Sequence, residues 1–370
     1  MGKVLKVITV IGARPQFIKA GMVSAAIDKW SKSHTDKSIE EIIVHTGQHY
    51  DKNMSDIFFD ELTLHNPKYN LAVGSNSHAS MTANMMLALE PVFLRECPNV
   101  ILVYGDTNST LAASMVAAKL KIPIAHVEAG LRSYNLDMPE EINRIVTDKV
   151  SQVLFCPTKV AEKNLLEQKK YLHPRAKIWF TGDVMLDSLL FYQSKASPSK
   201  YLASIFERTV GEFYLLTLHR PVNVDSCKAL SDILKALVEG LEDKKIIFPV
   251  HPRTKDKLPV LPPEVVCINP VGYMDMLVLL KRCSGVFTDS GGLQKEAYFS
   301  QKPCVVLRQE TEWLELVDVD CAFLAGADPE KIRQGVAWVN KGDFDFSAKL
   351  YGDGCASNKI VEALVCEFGS

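Results

Sequence analysis

The chain has 370 residues, of which 47% are hydrophobic and 23% are charged, and its formal net charge is -2 at pH 7. This size indicates a globular protein of about two domains, since one hydrophobic core rarely serves so long a chain. The sequence pI near 6.5 excludes the strongly basic surface typical of proteins that bind nucleic acid or anionic membranes. No apolar run reaches the length of a membrane span, and the nine cysteines lack the spacing of a zinc site. We therefore expect a cytoplasmic protein with no metal.

The N-terminal half alternates apolar strands with helical patterns. A continuous apolar strand, Val4–Ile11, turns through Gly12-Ala13-Arg14-Pro15 into a helix, which places the cation Arg14 at the mouth of a βα unit. Two later apolar runs, Ile101–Tyr104 and Ile122–Val127, are separated by a helical pattern. The alternation predicts a parallel sheet with helices on both faces.

Acidic residues follow these later strands. Asp106 comes just after the first run, Glu128 after the second, and the next loop brings Glu140 and Glu141 behind Pro139. Because ligands bind at the carboxyl ends of the strands in open α/β sheets, we expect these carboxylates to converge on one mouth. Their mutual repulsion raises pKa values toward the range that suits proton transfer.

The same alternation restarts in the second half of the chain. We therefore predict two Rossmann-like, doubly wound α/β domains, spanning residues 1–185 and 186–355. A final amphipathic helix in residues 356–370 is expected to pack back on the first domain. Six strands are predicted in the second half: Phe213–Thr217, Ile246–Val250, Val265–Ile268, Val286–Thr288, Cys304–Leu307 and Phe323–Leu324.

A glycine turn in the second domain indicates an anion site. Ser290, Gly291 and Gly292 follow a strand and begin a helix, where free backbone N–H groups and the helix dipole favour a phosphate. Glu296 lies four residues along that helix, roughly 6 Å away, where it can reach the ribose of a bound nucleotide. His219 also follows a strand, as do His251 and Arg253. A solvated glutamate on an ordinary tight turn is the competing interpretation.

A diphosphate site in one domain and a carboxylate cluster in the other indicate a nucleotide-sugar enzyme. No GxGxxG follows any strand, which argues against a bound nicotinamide, and no Walker loop is present. We therefore expect no cofactor.

Six motifs also carry a family resemblance. The chain resembles the non-hydrolysing UDP-N-acetylglucosamine 2-epimerases in matching order across nearly its whole length. The motifs are IGARPQFIKA, YGDTNSTLAAS, HVEAGLRS, MPEEINR, LHR and TDSGGLQKEA. The resemblance implies a glycosyltransferase type B architecture, a UDP-sugar substrate and a homodimer. It implies an isomerase that interconverts UDP-N-acetylglucosamine and UDP-N-acetylmannosamine, by anti elimination of UDP to 2-acetamidoglucal and re-addition.

The resemblance also assigns roles to single residues. Asp106, Glu128 and Glu140 match the catalytic carboxylates, and His219 matches a histidine near the diphosphate. Arg14 and Lys19 match a basic pair that stabilises phosphate charge. The UDP contacts match Ser290, Gly291, Gly292 and Glu296.

Several of these residues could instead have purely structural roles. Arg144 is expected to pair with the acidic cluster and is also predicted as a UDP contact. An arginine on the helix surface, without a role in the site, is nearly as good an explanation of its position. Taken singly, Asp106 suits a helix N-cap, Glu128 a partner of Arg132, and Glu140 first-turn dipole compensation.

Some residues depart from the pattern of the commoner members. Many bacterial members that are activated by UDP-N-acetylglucosamine carry a glutamine-histidine-arginine run after the second strand. Here Gln48-His49 is followed by Tyr50-Asp51 and not by an arginine, so we expect hyperbolic kinetics without activation by substrate. Three details resemble the branch that acts on UDP-2,3-diacetamido-2,3-dideoxyglucuronate: GARPQFIKA at residues 12–20, TGQHYDKNMSDIFF at residues 46–59, and Trp313 after Thr311-Glu312, where commoner members have an arginine. Archaeal members that act on UDP-N-acetylglucosamine share some of these traits, so the diacetamido-uronate is kept as the alternative substrate. A retaining glycosyltransferase, a hydrolysing epimerase and an inactive nucleotide-sugar sensor are the more distant alternatives.

Overall fold

The chain divides into two units, each built on its own parallel sheet. In the computed structural model the described residues are 3–34, 37–47, 64–74, 76–209, 211–250 and 252–369, apart from the side chains at 3, 14, 252 and 253. One unit comprises Met1–Ser188 with Lys349–Ser370, and the other comprises Leu189–Ala348. The divisions thus follow Ser188 and Ala348, whereas the sequence placed them after residues 185 and 355.

The first unit is built on a seven-stranded parallel sheet with strand order β3-β2-β1-β4-β5-β6-β7. Its strands are β1 (Lys3–Ile11), β2 (Lys37–His45), β3 (Tyr69–Asn70), β4 (Val100–Tyr104), β5 (Ile124–Val127), β6 (Val153–Cys156) and β7 (Lys177–Phe180). Its helices are α1 (Arg14–Ser33), α2 (His78–Glu96), α3 (Asn108–Lys119), α4 (Pro139–Val150) and α5 (Lys159–Glu167), with a 3₁₀ turn at Lys169–Tyr171 and α6 (Val184–Gln193) at the division.

The central strands of this sheet are buried on both faces. Every residue of β4, with the sequence VILVY, is buried, which explains its unbroken apolar run. On one face Ile8, Val10 and Val103 pack with Met85 of α2 and Ala113 of α3. Burial of each large aliphatic side chain contributes about 1.5–3 kcal/mol, so this layer fixes the strand ends that carry the acidic residues.

The C-terminal helix, α15 (Ala356–Phe368), belongs to the first unit and packs against α1. The Asp187 carboxylate caps its start by accepting the backbone N–H groups of Ala356 at 3.0 Å and Ser357 at 2.8 Å. A carboxylate at a helix N-terminus satisfies free N–H groups and complements the dipole.

The second unit has a six-stranded parallel sheet with strand order β10-β9-β8-β11-β12-β13. Its strands are β8 (Phe213–Thr217), β9 (Lys245–Pro249), β10 (Val265–Ile268), β11 (Gly285–Thr288), β12 (Cys304–Val306) and β13 (Ala322–Leu324). Its helices are α7 (Lys200–Arg208), α8 (Pro221–Val224), α9 (Cys227–Val238), α10 (Pro252–Lys255), α11 (Tyr273–Arg282), α12 (Gly291–Phe299), α13 (Leu314–Asp318) and α14 (Pro329–Val339).

The core of the second unit packs one face of its sheet against α9 and α14. Phe248 and Phe287 from the strands contact a layer that includes Leu234, Ile332 and Val336. The six strands predicted for this half are present, each within about one residue at either end.

Both sheets confirm the predicted Rossmann-like, doubly wound class. In each, the strand order reverses at one place, between β1 and β4 in the first unit and between β8 and β11 in the second. Such a reversal leaves a crevice outside the carboxyl ends of the strands, which is where ligands bind in open α/β sheets. None of the helices in the described ranges is long and apolar enough to cross a bilayer.

Candidate active site

The site of the first unit forms at its strand reversal, and Gln16 holds the two flanking loops together. Its side-chain oxygen accepts the backbone N–H groups of Gly12 at 2.8 Å and Ala13 at 3.0 Å. Its amide nitrogen donates to the carbonyl of Tyr104 at 2.8 Å, at the end of β4. One buried side chain thereby fixes the start of α1 against the turn that carries Asp106.

An ion pair joins Lys19 of α1 to Glu128 in the loop after β5. Their side chains are 8% and 11% exposed, so both charges are largely removed from water. The backbone of Glu128 has a φ of 71°, a left-handed conformation that is costly for a non-glycine residue and that clusters at functional sites. Lys19 and Glu128, both predicted as catalytic, are brought into direct contact.

Glycine is required at position 105, directly before Asp106. Its φ is +63°, and an added Cβ would lie 3.2 Å from Glu128 Oε2 and 3.8 Å from Lys19 Nζ. Glycine therefore lets the turn after β4 approach the ion pair closely.

Asp106 forms an ion pair with Arg144 of α4, whose other guanidinium nitrogen donates to Glu141 at 2.7 Å. Asn143 from the same helix donates to the carbonyl oxygen of Asp106 at 2.8 Å. Burial raises the pKa of Asp106 above its usual value and the nearby Glu128 adds to the rise, while Arg144 opposes it. A carboxyl group with a raised pKa is suited to exchanging protons near neutral pH.

The predicted role of Glu140 stays a prediction. Glu140 is exposed in the first turn of α4, and within the described residues it forms no hydrogen bond or ion pair with Asp106 or Glu128. Its neighbour Glu141 is fully buried and accepts Ser133 N–H at 2.9 Å and Tyr134 N–H at 3.1 Å, besides Arg144. The sequence analysis gave the catalytic role to Glu140 and did not identify Glu141 as the buried one of the two.

The interpretation of Asp106 as a helix N-cap is wrong. The N-cap of α3 is Thr107, whose side chain accepts the Thr110 N–H, and not Asp106. Arg132 forms an ion pair with Asp148 at 2.7 Å, and Glu128 forms one with Lys19. Arg144 joins the acidic cluster, as expected, and is only 3% exposed. Its assignment to UDP stays a prediction.

The site of the second unit is organised by Asp289, which follows β11. Its fully buried carboxylate accepts the backbone N–H groups of His219 at 3.1 Å and Arg220 at 3.0 Å, and the side-chain amide of Asn223 at 2.9 Å. His219 Nδ1 lies 2.9 Å from the same carboxylate, and its side chain is 48% exposed. Burial favours the neutral acid, but the contacts from His219, Asn223 and Arg220 outweigh it and lower the pKa of Asp289.

The sequence did not single out Asp289. Its position, at the end of β11 and opposite the strand that precedes His219, is the signal that would have revealed it. Asp289 fixes the main chain of the loop after β8, so the His219 ring is presented from a rigid turn.

The glycine turn begins α12 as predicted. Ser290 is the N-cap, and its side chain accepts the Leu293 N–H at 3.4 Å. An added Cβ at Gly292 would meet nothing within 4 Å, so the space beside this residue is open. At Gly291 an added Cβ would come within 3.5 Å of Arg308 Nη1. The open space lies at a helix N-terminus, where a phosphate is favoured.

Trp313 contacts this turn through its indole ring. Its indole N–H donates to the Gly291 carbonyl at 3.0 Å, and its ring lies 4.1 Å from the ammonium group of Lys295. Glu296, the predicted ribose contact, lies one turn along α12 and is 9% exposed. Trp313 thus contacts the turn that is predicted to hold the phosphate.

Several predicted residues lie outside the described part of the chain. These are the side chains of Arg14 and Arg253, and residues Gln48, His49, Tyr50, Asp51 and His251. Within the described ranges, no group of three or more His, Cys, Asp or Glu side chains is placed to hold a metal ion.

Comparison with known proteins identifies the family. The family model for UDP-N-acetylglucosamine 2-epimerase matches residues 31–365. The chain belongs to the UDP-N-acetylglucosamine 2-epimerase family. This confirms the resemblance carried by the six sequence motifs and the isomerase class that it implied.

The relatives cover nearly the whole chain. A UDP-2,3-diacetamido-2,3-dideoxy-D-glucuronate 2-epimerase from Pseudomonas aeruginosa is 47% identical over 97% of this chain and 99% of its own. The crystal structure of Methanocaldococcus jannaschii UDP-GlcNAc 2-epimerase with UDP-GlcNAc and UDP is 39% identical, covers 98% of this chain and 100% of its own, and has a TM-score of 0.85.

A more distant structure bears on the architecture alone. The glycotransferase of kitacinnamycin is 12% identical, covers 97% of this chain and 98% of its own, and has a TM-score of 0.57. With the epimerase structure, it supports the predicted glycosyltransferase type B architecture.

Proposed function

We propose that this chain interconverts UDP-N-acetylglucosamine and UDP-N-acetylmannosamine without hydrolysing them. The observation that carries the proposal is the placement of Asp106 and Glu128 after adjacent parallel strands, each paired with a buried cation, Arg144 and Lys19. Two carboxylates in different electrostatic settings can divide acid and base roles. The M. jannaschii relative, whose structure holds UDP-GlcNAc and UDP, supports the substrate class.

The proposed reaction is an elimination followed by an addition. A carboxylate takes the proton from C2, the C2–H electron pair becomes the C1–C2 double bond, and the C1–O bond breaks with its electron pair leaving on UDP. The intermediate is 2-acetamidoglucal. UDP then adds back at C1 while an acid group returns a proton to the opposite face of C2. No net oxidation occurs, so the reaction needs no redox cofactor.

In this proposal the basic residues of the first unit stabilise the leaving group. Negative charge grows on the diphosphate as the C1–O bond breaks, and Arg14 and Lys19 stabilise it. Lys19 is already held by Glu128, so its charge is positioned before the substrate binds and requires little reorganisation.

The second unit holds UDP in this proposal. The open space at Gly292 and the N-cap Ser290 accommodate the diphosphate at the start of α12. Glu296 accepts the ribose hydroxyls, and His219, fixed by Asp289, lies near the diphosphate as a general acid or an electrostatic stabiliser.

UDP-2,3-diacetamido-2,3-dideoxyglucuronate is the second candidate substrate. Two observations favour it: Trp313, at a position where the family resemblance implies an arginine in commoner members, contacts the predicted phosphate turn, and the Pseudomonas relative of that name is 47% identical. The predicted homodimer, the cytoplasmic location and the lack of a nucleic-acid or membrane partner rest on composition and on the family resemblance.

The experiment is a comparison of both UDP-sugars at matched concentrations, with products identified by proton NMR. The proposal expects the 2-epimer with UDP still attached, and the larger kcat/KM identifies the natural substrate. Free UDP in amounts equal to the sugar consumed would indicate hydrolysis. Turnover only with an added sugar acceptor would indicate a glycosyltransferase, and binding of both sugars without turnover would indicate a sensor.

A further inference from the structure

A fully buried histidine lies next to the acidic site and has no part in the reaction described so far. His126 is in β5, between Val103 of β4 and Leu154 of β6, and it is 0% exposed. Its Nδ1 atom lies 2.8 Å from Asp148 Oδ1, and its Nε2 atom lies 2.8 Å from the carbonyl oxygen of Gly105. Both ring nitrogens therefore face acceptor atoms.

The partners determine the charge of the His126 ring. A carbonyl oxygen only accepts, so Nε2 carries a hydrogen and donates to Gly105. Asp148 is also bound by Arg132 Nη1 at 2.7 Å and by the Gly130 N–H at 3.2 Å, both donors, which is the environment of an ionised carboxylate. Since a neutral imidazole has one N–H, a ring that donates to both partners is an imidazolium.

His126 contacts the turn that carries Asp106. Gly105, whose carbonyl it binds, directly precedes Asp106 and has a left-handed backbone. Asn143 binds the carbonyl of Asp106 itself at 2.8 Å, and Arg144 binds its carboxylate. Asp148, which holds His126, lies on the same helix as Asn143 and Arg144, α4. Helix α4 thus contacts this turn directly through Asn143 and Arg144, and indirectly through Asp148, which holds His126.

We infer that His126 is a positioning residue for Asp106, a buried imidazolium that binds the Gly105 carbonyl and so fixes the turn from which Asp106 acts on the sugar. The inference rests on the proposed function for its kinetic consequence. Its structural part, the doubly protonated ring bonded to Gly105, does not depend on any activity.

Two substitutions separate the contacts of the ring. Glutamine places its amide nitrogen near the position of Nε2, so His126→Gln retains a donor for Gly105. Asparagine places its nitrogen near Nδ1, so His126→Asn retains a donor for Asp148 and loses the contact with Gly105. If His126 had only a packing role, both variants would lose stability, and kcat would not be higher in His126→Gln than in His126→Asn.

The kinetic test measures kcat and KM for UDP-N-acetylglucosamine in both variants, with His34→Gln at an exposed position as the control. We expect kcat to fall by about 10²-fold in His126→Asn, as a small misplacement of a reacting group does, with KM within about twofold. His126→Gln should recover much of that loss, and the His34→Gln control should match the wild type. Equal losses in both variants, or a change confined to KM, would overturn the inference.

A double variant tests whether His126 acts through Asp106. Adding His126→Asn to Asp106→Asn should cause almost no further loss of C2 proton exchange, because the group being positioned is already absent. Losses that multiply would show that the two residues act independently and would overturn the inference.

Nitrogen-15 NMR of histidine-labelled wild-type protein keeps the test valid if the variants unfold. From the hydrogen-bond geometry we expect both His126 nitrogens to carry a hydrogen and Nε2 to show a coupling across its hydrogen bond to Gly105. A single protonated nitrogen would overturn the inference. If the NMR result holds and wild-type protein does not epimerise any UDP-sugar, the proposed function fails while the bonding of His126 stands.

Discussion

Lys19 and Glu128 are far apart in sequence, yet their side chains form an ion pair directly beside the Cα atom of Gly105. The contact links α1 to the loop after β5 across the place where the strand order of the first sheet reverses. Because both side chains are about nine-tenths buried, breaking the pair would leave a charge with little solvent to stabilise it. The pair therefore fixes a carboxylate and a cation in one geometry before the substrate binds.

Gly105→Ala tests this close approach. The new methyl group would lie 3.2 Å from Glu128 Oε2, so we expect the ion pair to shift and kcat to fall by at least about tenfold. The left-handed backbone should add a destabilisation of about 1–2 kcal/mol. Gly342→Ala is the matched control, because Gly342 has a φ of +76° and a Cβ added there would lie 4.0 Å from its nearest neighbour, the Asn340 carbonyl oxygen. If both variants lost stability alike and both kept full activity, close packing at Gly105 would have no catalytic importance.

Asp106→Asn tests the assignment of an acid/base role. The amide has nearly the same shape but cannot exchange the C2 proton, so kcat should fall by about 10²–10⁴-fold while the Kd for UDP changes little. Steady-state kinetics and calorimetric titration with UDP give the two numbers. A parallel loss of turnover and of UDP affinity would show that Asp106 binds the nucleotide instead.

Arg144→Gln tests the pH dependence. Burial raises the pKa of Asp106 and Arg144 opposes that rise, so removing the cation should raise the pKa further. A base must be ionised, and the rate falls as the pH drops through its pKa. The acid limb of the kcat profile should therefore move to higher pH in the variant. Arg175→Gln, at an exposed position, is the control and should leave the limb in place. A limb that stays in place or moves to lower pH in Arg144→Gln would show that a different group controls it.

Gly292→Ala tests the phosphate turn. The methyl group meets nothing within 4 Å, so the fold should be as stable as before or up to about 1 kcal/mol more stable. The same methyl group occupies the space proposed for the diphosphate, so the Kd for UDP should rise by about tenfold or more. Ser300→Ala, at the far end of α12, is the control. Unchanged UDP affinity in Gly292→Ala would place the diphosphate elsewhere.

The fold class was predictable because its signals are local. Each strand of the second unit is a short apolar run bounded by turn residues, and each lies where the sequence pattern placed it. Chain order also placed Asp106, Glu128, His219 and Ser290 after strands, and parallel strands necessarily bring such positions to one edge of their sheet.

The partners within the site were not predictable from the sequence. The pairing of Lys19 with Glu128 depends on how α1 packs against its sheet, and no local pattern distinguishes this partner from the nearer Arg132. Glu140 and Glu141 are adjacent on α4, so a small rotation of the helix decides which one is buried. Asp289 and His126 act through backbone groups of other loops. Both residues lie within the family motifs, but a motif does not show which backbone groups a side chain contacts.

The most direct test of the central claim follows the hydrogen on C2. Wild-type protein is incubated with UDP-N-acetylglucosamine in D₂O, and the C2 position is followed by proton NMR. Elimination and re-addition predict deuterium at C2 in the epimer and in the recovered substrate, with UDP still attached. A 2-epimer that keeps its original hydrogen at C2 would contradict proton exchange with solvent, and release of UDP without any deuterated UDP-sugar would contradict epimerisation.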